Sequence, residues 1–303
     1  MLKDRFGRPI TSLRISITQR CNFSCLYCHR EGSKGSEDRE MTPGEIERVV
    51  RVGARLGVRK VKLTGGEPLL RQDVCEVVRR LSGVEGVREV SMTTNGYLLA
   101  EYAEELAEAG LKRVNVSLDT TDPEKFRWLT GGMRVERVLS GIEAALEAGL
   151  KPVKINMVVM RDVNHEEVLG MLRRFSGTDT VLQLIELVPG NGEFFRRYFY
   201  DLDLLEGEIA RRARVVRRRR FMHLRAQYQL NGSRVEFVKP MHNSQFCAHC
   251  TRLRITADGK FKPCLMRNDN LIDFLTPMRS GAGDEELERL FRLAVGEREP
   301  FFR

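Results

Sequence analysis

Three absences narrow the reading of this chain before any single residue is interpreted. No apolar stretch approaches the length needed to cross a bilayer, and the opening Met1-Leu2-Lys3-Asp4-Arg5 has no secretory character. Both absences lead to the expectation of a cytoplasmic protein with no membrane partner. The third is a missing ligand. Cys21, Cys25 and Cys28 sit near one end and Cys247, Cys250 and Cys264 near the other, each group one thiolate short of the four that close an ordinary iron-sulfur cluster. A cluster held by three would leave one iron open to bind something else, and two open irons point to an enzyme.

Cysteine usage is odd in number, seven, with metal-like spacing, and a reducing compartment disfavours pairing them as disulfides. Cys75, the seventh, falls on a helical stretch and reads as a small buried residue. With 303 residues, 42% hydrophobic and 31% charged, the chain can bury a core and form one large or two modest domains. Lys plus Arg is 51 against 42 Asp plus Glu, and the resulting +9 favours an anionic partner: a nucleotide, a nucleic acid or an acidic protein.

Residues 13–18 alternate in hydrophobicity, and runs at 60–63, 89–93, 113–118, 152–159 and 181–187 follow, so six strands are predicted. Helical patterns fill the intervals at 45–56, behind a Thr42-Pro43 start, and at 72–81, 98–108, 135–146 and 165–175. Gly110 and Gly149 follow two of these runs as helix stops. Repeated strand-helix units imply an α/β fold with a parallel sheet under helices. Right-handed crossovers let six in succession curl into an incomplete (βα)6 barrel with its chemistry at the strand C-terminal ends.

After Pro189-Gly190 the pattern changes. Residues 208–220 are predicted as a very basic helix, its Arg217-Arg218-Arg219-Arg220 reading first as a solvated face. Runs at 223–230 and 234–239 flank Asn231-Gly232, a pair suited to the positive backbone angles of a tight hairpin. Residues 284–295 are amphipathic and helical. No repeat, low-complexity block or long linker occurs, so the expected division is a partial barrel over 1–205 and a small docked module over 206–303.

The first cysteine group is spaced C-x3-C-x2-C directly after the first strand, which puts three thiolates on one loop at the barrel mouth. A structural zinc completed by His29 is the competing reading. Gly65-Gly66-Glu67-Pro68 follows the second strand, where glycines admit close approach to the backbone; Thr93-Thr94-Asn95-Gly96 follows the third and Ser117-Leu118-Asp119 the fourth. Each alone has a turn or capping explanation, but together they set polar groups on successive strand ends of one mouth. The second group, Cys247-x2-Cys250 with Cys264 thirteen residues on, also admits a zinc knuckle using His242 or His249. Arg252 and Arg254 alternate along the next strand, where same-side guanidinium groups can grip a phosphate chain or a carboxylate; an exposed basic strand face is the plain alternative.

On the C-x3-C-x2-C loop and the Gly-Gly-Glu-Pro turn, residues 13–188 resemble the radical S-adenosylmethionine (SAM) superfamily. The resemblance implies a [4Fe-4S] cluster on Cys21, Cys25 and Cys28 whose free iron chelates SAM, and an external electron donor that drives SAM cleavage to a 5'-deoxyadenosyl radical. Tyr27, Gly66 and Ser117 match positions that hold SAM, as does Val188, where Met is more usual. With the second group and Cys250-Thr251-Arg252-Leu253-Arg254, the likeness runs from residue 13 to about 265 and narrows to the MoaA-type GTP 3',8-cyclases of molybdenum cofactor biosynthesis. That resemblance implies a second [4Fe-4S] cluster on Cys247, Cys250 and Cys264 that holds guanine, and a basic set that holds triphosphate and ribose: Arg14, Lys62, Thr93, Lys154, Arg252 and Arg254.

Two positions depart from the family pattern. Lys62 stands where Arg is usual, keeping the charge and losing the bidentate fork. Family members commonly end in Gly-Gly, whereas this chain ends Pro300-Phe301-Phe302-Arg303, with the two aromatics expected to dock against the protein rather than reach the substrate. The implied product, 3',8-cyclo-7,8-dihydro-GTP, would pass to cyclic pyranopterin monophosphate synthase. A homodimer is compatible with this reading, and a nucleic-acid partner is disfavoured. Two other classes stay in view. One is a different twin-cluster radical SAM enzyme, such as a peptide or heme-pathway maturase, although such extensions usually carry more cysteines. The other is a zinc-stabilised nucleic-acid-binding protein whose +9 charge is its purpose.

Overall fold

Period-two alternation builds the sheet. In a computed structural model describing residues 1–32, 39–189, 192–219 and 223–302, the six expected strands form as β1 (Ser12–Ser16), β2 (Lys60–Thr64), β3 (Glu89–Thr94), β4 (Arg113–Ser117), β5 (Val153–Val159) and β6 (Thr180–Glu186). Each pairs in parallel with the next. Leu13, Ile15, Val61, Leu63, Val114, Val116, Ile155 and Leu184 are fully buried. The residues between them, Arg14, Lys62, Arg113, Asn115 and Lys154, are polar and line one interior cavity, because successive strand side chains face opposite sides. Gly190, Arg220 and Arg303, which belong to segments singled out in the sequence, lie outside the described residues.

The outer face is closed by α1 (Pro43–Arg55), α2 (Val74–Ser82), α3 (Leu99–Glu108), α4 (Pro123–Thr130), α5 (Val135–Glu147) and α6 (Val168–Arg174). Thr42 and Glu45 form a capping box at the start of α1, with Pro43 in the first turn. Gly110 and Gly149 take φ of 99° and 78° just past α3 and α5, as stops in the left-handed region do. α4 was not expected from periodicity; its signal is local, with Asp122 accepting from the Glu124 and Lys125 amides ahead of Pro123. None of the helices among the described residues is long and apolar enough to cross a membrane.

After β6 the chain continues with α7 (Gly192–Tyr198), α8 (Leu202–Arg212), β7 (Arg214–Arg219), β8 (Arg225–Leu230), β9 (Ser233–Val238), α9 (Ser244–Ala248), β10 (Arg252–Ile255), β11 (Lys260–Lys262), β12 (Ile272–Asp273), α10 (Leu275–Arg279) and α11 (Asp284–Gly296), a stretch that includes the expected C-terminal module over 206–303. Its strands extend the same sheet at both edges, in the order β12-β11-β10-β1-β2-β3-β4-β5-β6-β9-β8-β7. The segment between β9 and β10 therefore carries Cys247 and Cys250 from one edge of the six-stranded unit to the other. α11 seals the far side, with Leu287, Leu290, Phe291, Ala294 and Val295 buried and Phe291 packed on Phe261.

The basic run corrects the expectation. The helix stops at Arg212, and Arg214–Arg219 is a strand antiparallel to β8. Cross-strand pairing and the β-branched Val215-Val216 pair outweigh the helical preference of arginine. Arg217 and Arg218 are exposed, as a solvated face requires, but Arg219 turns inward onto Glu236 at 2.8 Å. Asn231 and Gly232 take φ of 48° and 81° in the tight turn between β8 and β9.

Candidate active site between two cysteine groups

The loop after β1 is held by the turns that follow β2 and β3. The Gly66 amide donates to the Thr18 carbonyl at 2.8 Å and the Glu67 amide to the Arg20 carbonyl at 2.7 Å. A Cβ on Gly66 would lie 2.1 Å from the Arg20 carbonyl oxygen, so the glycine is required by the backbone of the cysteine loop itself. Glu67 is fully buried and accepts from the Leu69 amide (3.1 Å), Thr94 Oγ1 (2.6 Å) and the Asn95 amide (2.6 Å); burial pushes its carboxyl up to about 7. Asn95 in turn donates to Asn22 at 2.8 Å, one residue from Cys21. The strand-end motifs thus form one hydrogen-bonded frame around the first triad.

Cys21 and Cys28 are exposed and Cys25 is half-buried. Burial raises the Cys25 thiol, with further upward pushes from Asp119, Cys28 and Cys21, so the three sulfurs share one neighbourhood. Tyr27 points away from solvent and donates its hydroxyl to Asp119, which also accepts from the Val158 amide at 2.8 Å; burial lifts the Asp119 carboxyl to about 6. His29 lies among the charges of Glu31, Arg254 and Arg14.

Beyond Tyr27 opens a cavity of about 360 Å³, within the range of small-ligand sites. Its floor is a cationic row in strand register, in which Arg254 of β10 sits beside Arg14 of β1, and Arg14 beside Lys62 of β2. Lys62 donates to Asn115 at 2.5 Å, and Asn115 to Asn156 at 3.1 Å. Lys62 is held well below its ordinary pKa by burial and by the charges of Arg113, Arg14, Lys154 and Arg252. Arg252 is pulled down to about 9 by burial and by Arg14 and Arg254. Cations crowded this way favour an added anion. Thr93, Ser117 and Val188 line the same space.

Three of these cations already have partners, and sequence reasoning missed both carboxylates involved. Glu31, in the left-handed region at φ 51°, lies 2.5 Å from Arg254 and 3.4 Å from Arg14 and also accepts from Thr64. Lys154 pairs with Glu236 at 2.6 Å, where Arg219 and Gln227 also converge. Arg252 has no carboxylate partner among the described residues. Glu236 carries a legible signal, a charge between Val235 and Phe237 in an alternating strand; Glu31 follows an irregular loop and carries none.

Cys247, Cys250 and Cys264 line this cavity directly, whereas the first cysteine loop contributes Tyr27 and not Cys21, Cys25 or Cys28 to its lining. Burial alone would raise the Cys250 thiol, but Arg298, Arg252 and Arg8 outweigh it and leave it below the ordinary value. His223 stacks on Phe246 at 3.7 Å. His242 packs on Phe302 at 5.0 Å, and His249 Nδ1 lies 2.9 Å from the Gln245 carbonyl, so both candidate zinc histidines have other neighbours. Phe302 packs on His242 while Phe301 is exposed, and both line the cavity, so the tail borders the site rather than standing clear of it.

Among the described residues no three His, Cys, Asp or Glu side chains converge as ligands of one metal ion. A four-iron cluster instead takes each thiolate at a separate iron, and two triads of free cysteines without a fourth thiol suit that donor pattern. Of the ten buried side-chain polar atoms without partners among the described residues, six belong to residues lining this cavity: Arg8 Nη2, Arg14 Nε, His29 Nδ1, Thr93 Oγ1, His223 Nδ1 and Arg298 Nε. A polar, anionic occupant would satisfy them.

Comparison with known proteins agrees with this geometry. Residues 15–175 match the model of the Radical SAM superfamily, and 180–303 that of Molybdenum Cofactor Synthesis C. The chain is 51% identical over 311 residues to a probable GTP 3',8-cyclase of Thermococcus kodakarensis, with 100% of both chains covered. It is 46% identical over 302 residues to one of Methanocaldococcus jannaschii, covering 100% of this chain and 99% of the relative. Among solved structures, Streptococcus suis SuiB bound to S-adenosylmethionine matches with a TM-score of 0.63 at 18% identity, over 85% of this chain and 60% of that one. That likeness speaks to the fold. By sequence and by fold, the chain belongs to the radical SAM superfamily and, within it, to the family of GTP 3',8-cyclases.

Proposed function

We propose that this chain is a GTP 3',8-cyclase, converting GTP to 3',8-cyclo-7,8-dihydro-GTP in the first step of molybdenum cofactor biosynthesis. The carrying observation is that Arg14, Lys62, Lys154, Arg252 and Arg254 line one cavity together with Tyr27, Ser117, Val188 and the second cysteine triad. A nucleoside triphosphate has the charge, the polar base and the length for such a space.

Cys21, Cys25 and Cys28 would hold one [4Fe-4S] cluster, with Tyr27, Gly66, Ser117 and Val188 around SAM; Cys247, Cys250 and Cys264 would hold the second. When bound, the first cluster and SAM supply a 5'-deoxyadenosyl radical once an external donor provides an electron. The chain's own contribution is orientation. Arg252, free of a carboxylate, and Arg254, once Glu31 is displaced, grip phosphate; Lys62 and Thr93 flank the ribose; Lys154 stays anchored to Glu236. Burial of this row keeps water and stray hydrogen donors from the reacting carbon, which must lie within van der Waals reach of its partner. The product would be consumed by cyclic pyranopterin monophosphate synthase, and a homodimer is compatible with this scheme.

The test is anaerobic incubation of the reconstituted protein with SAM, a reductant and each nucleoside triphosphate in turn, followed by mass analysis of the nucleotide. Cyclised product from GTP alone is expected. SAM cleavage with no change in any nucleotide, despite full iron loading, would reject the assignment.

A further inference from the structure

The two ends of the chain meet beneath the second cysteine triad. At the N-terminus Asp4 organises a turn: its Oδ1 accepts from the Phe6 amide (2.9 Å) and the Arg8 amide (3.0 Å), and Gly7 takes φ of 76° to close it. Asp4 Oδ2 then receives two guanidinium groups, Arg8 Nε at 2.7 Å and Arg298 Nη1 at 2.8 Å, the second coming from just past α11. Each arginine reaches on to the triad loop. Arg8 Nη1 donates to the Cys247 carbonyl at 3.0 Å, and Arg298 Nη2 to the Cys250 carbonyl at 2.6 Å.

The charge count in this cluster does not close. Arg298 is 1% exposed, and Asp4 and Arg8 are 6% exposed. Among the described residues Asp4 is the carboxylate paired with either arginine, so one positive charge stays uncompensated in the interior; neighbouring Glu299 pairs with Arg5 and Arg267. An uncompensated buried charge is costly unless an anion lies against it. Arg8 Nη2 and Arg298 Nε are also buried without partners, and both residues line the same cavity as Cys247 and Cys250.

We propose that Arg8, Asp4 and Arg298 form a clamp that positions the second triad and holds a net positive charge against its cluster, raising that cluster's reduction potential. The inference rests on the second-cluster reading above. Hydrogen bonds and net charge near the sulfurs are levers on such potentials, and added positive charge favours the reduced form. Arg8 and Arg298 act through the cluster and are positioning residues.

The test is a redox titration monitored by electron paramagnetic resonance on anaerobically reconstituted full-length protein, with iron counted in each sample. In R298Q the second cluster should shift to lower potential while the first stays put; R298K, which keeps the charge, should stay near the wild-type value. Should R298Q fail to retain its second cluster, D4N carries the same test with opposite sign, since it removes the countercharge and must raise that potential. Full iron with an unshifted second cluster in R298Q, or no rise in D4N, overturns the clamp. Wild-type protein holding only one cluster overturns the second-cluster reading itself, and the clamp with it.

Discussion

Arg14 and Arg254 stand side by side in the paired parallel strands β1 and β10, and a single carboxylate, Glu31, closes on both at 3.4 and 2.5 Å. The residue that joins them follows the first cysteine triad by three positions. One arginine comes from the six-stranded parallel unit and the other from the strands added after it, so Glu31 ties these two parts of the site together. Placing two cations this close costs free energy that either Glu31 or a phosphate chain can offset.

Glu31→Gln should therefore destabilise the protein without GTP by about 1–3 kcal/mol, less than for a fully buried pair because Glu31 and both arginines are half-buried. Saturating GTP should restore most of that loss, because its phosphates supply the missing charge. Thermal unfolding with and without GTP reads both effects; an equal deficit in the two conditions would contradict the shared-anion role.

Arg252→Ala and Arg254→Ala should separate binding from stability. Each loses a charge-assisted phosphate contact of about 1.5–3 kcal/mol, roughly ten- to hundredfold in GTP affinity. Arg252 has no carboxylate to strand, so its substitution should leave the melting temperature near wild type, whereas Arg254→Ala removes the nearer of Glu31's two cations and should lower it. Equilibrium binding and unfolding on the two variants side by side check the distinction.

How much of this was legible follows from what each element depends on. The six strands, the hairpin at Asn231-Gly232 and the helix start at Thr42-Pro43 rest on local pattern, and they appear where the sequence put them. Arg252 and Arg254 were legible from alternation, which sets them on one side of their strand, and the cysteines from their spacing; Arg14, Lys62, Thr93 and Ser117 came from the family resemblance, and they line the same cavity as the two arginines. Glu31, Asp4 and Arg298 were not, because their roles depend on contacts with segments more than two hundred residues away. The strand at Arg214–Arg219 was misread for a related reason, since its partner β8 overrides a weak helical preference.

Gly66→Ala places a methyl group 2.1 Å from the Arg20 carbonyl, against the backbone that presents Cys21. The first cluster should be lost and the second retained, leaving roughly four of eight irons per chain after reconstitution. Full iron content in a folded Gly66→Ala protein would show that the cysteine loop does not need this close approach.

Asp119 gives a pH signature with a defined sign. Its folded value of about 6 lies above the ordinary carboxyl value of 3.8, so the group contributes most stability at low pH, fully present below 3.8, and that contribution is lost as pH rises through about 6. Relative to Asp119→Asn, the metal-free wild type should lose up to about 3 kcal/mol of stability between those limits. Denaturant unfolding of both proteins from pH 4 to 7 measures the difference, and parallel curves would refute it.

The most direct measurement quantifies 5'-deoxyadenosine and cyclised nucleotide in the same anaerobic reactions of Cys25→Ser and Cys250→Ser, with iron counted in each. Cys25→Ser should form neither product. Cys250→Ser should still release 5'-deoxyadenosine from SAM while losing the cyclised nucleotide, because the substrate no longer sits where the radical can reach it. Cyclised product at a near-normal rate from Cys250→Ser, with its first cluster intact, would contradict the division of labour between the two triads.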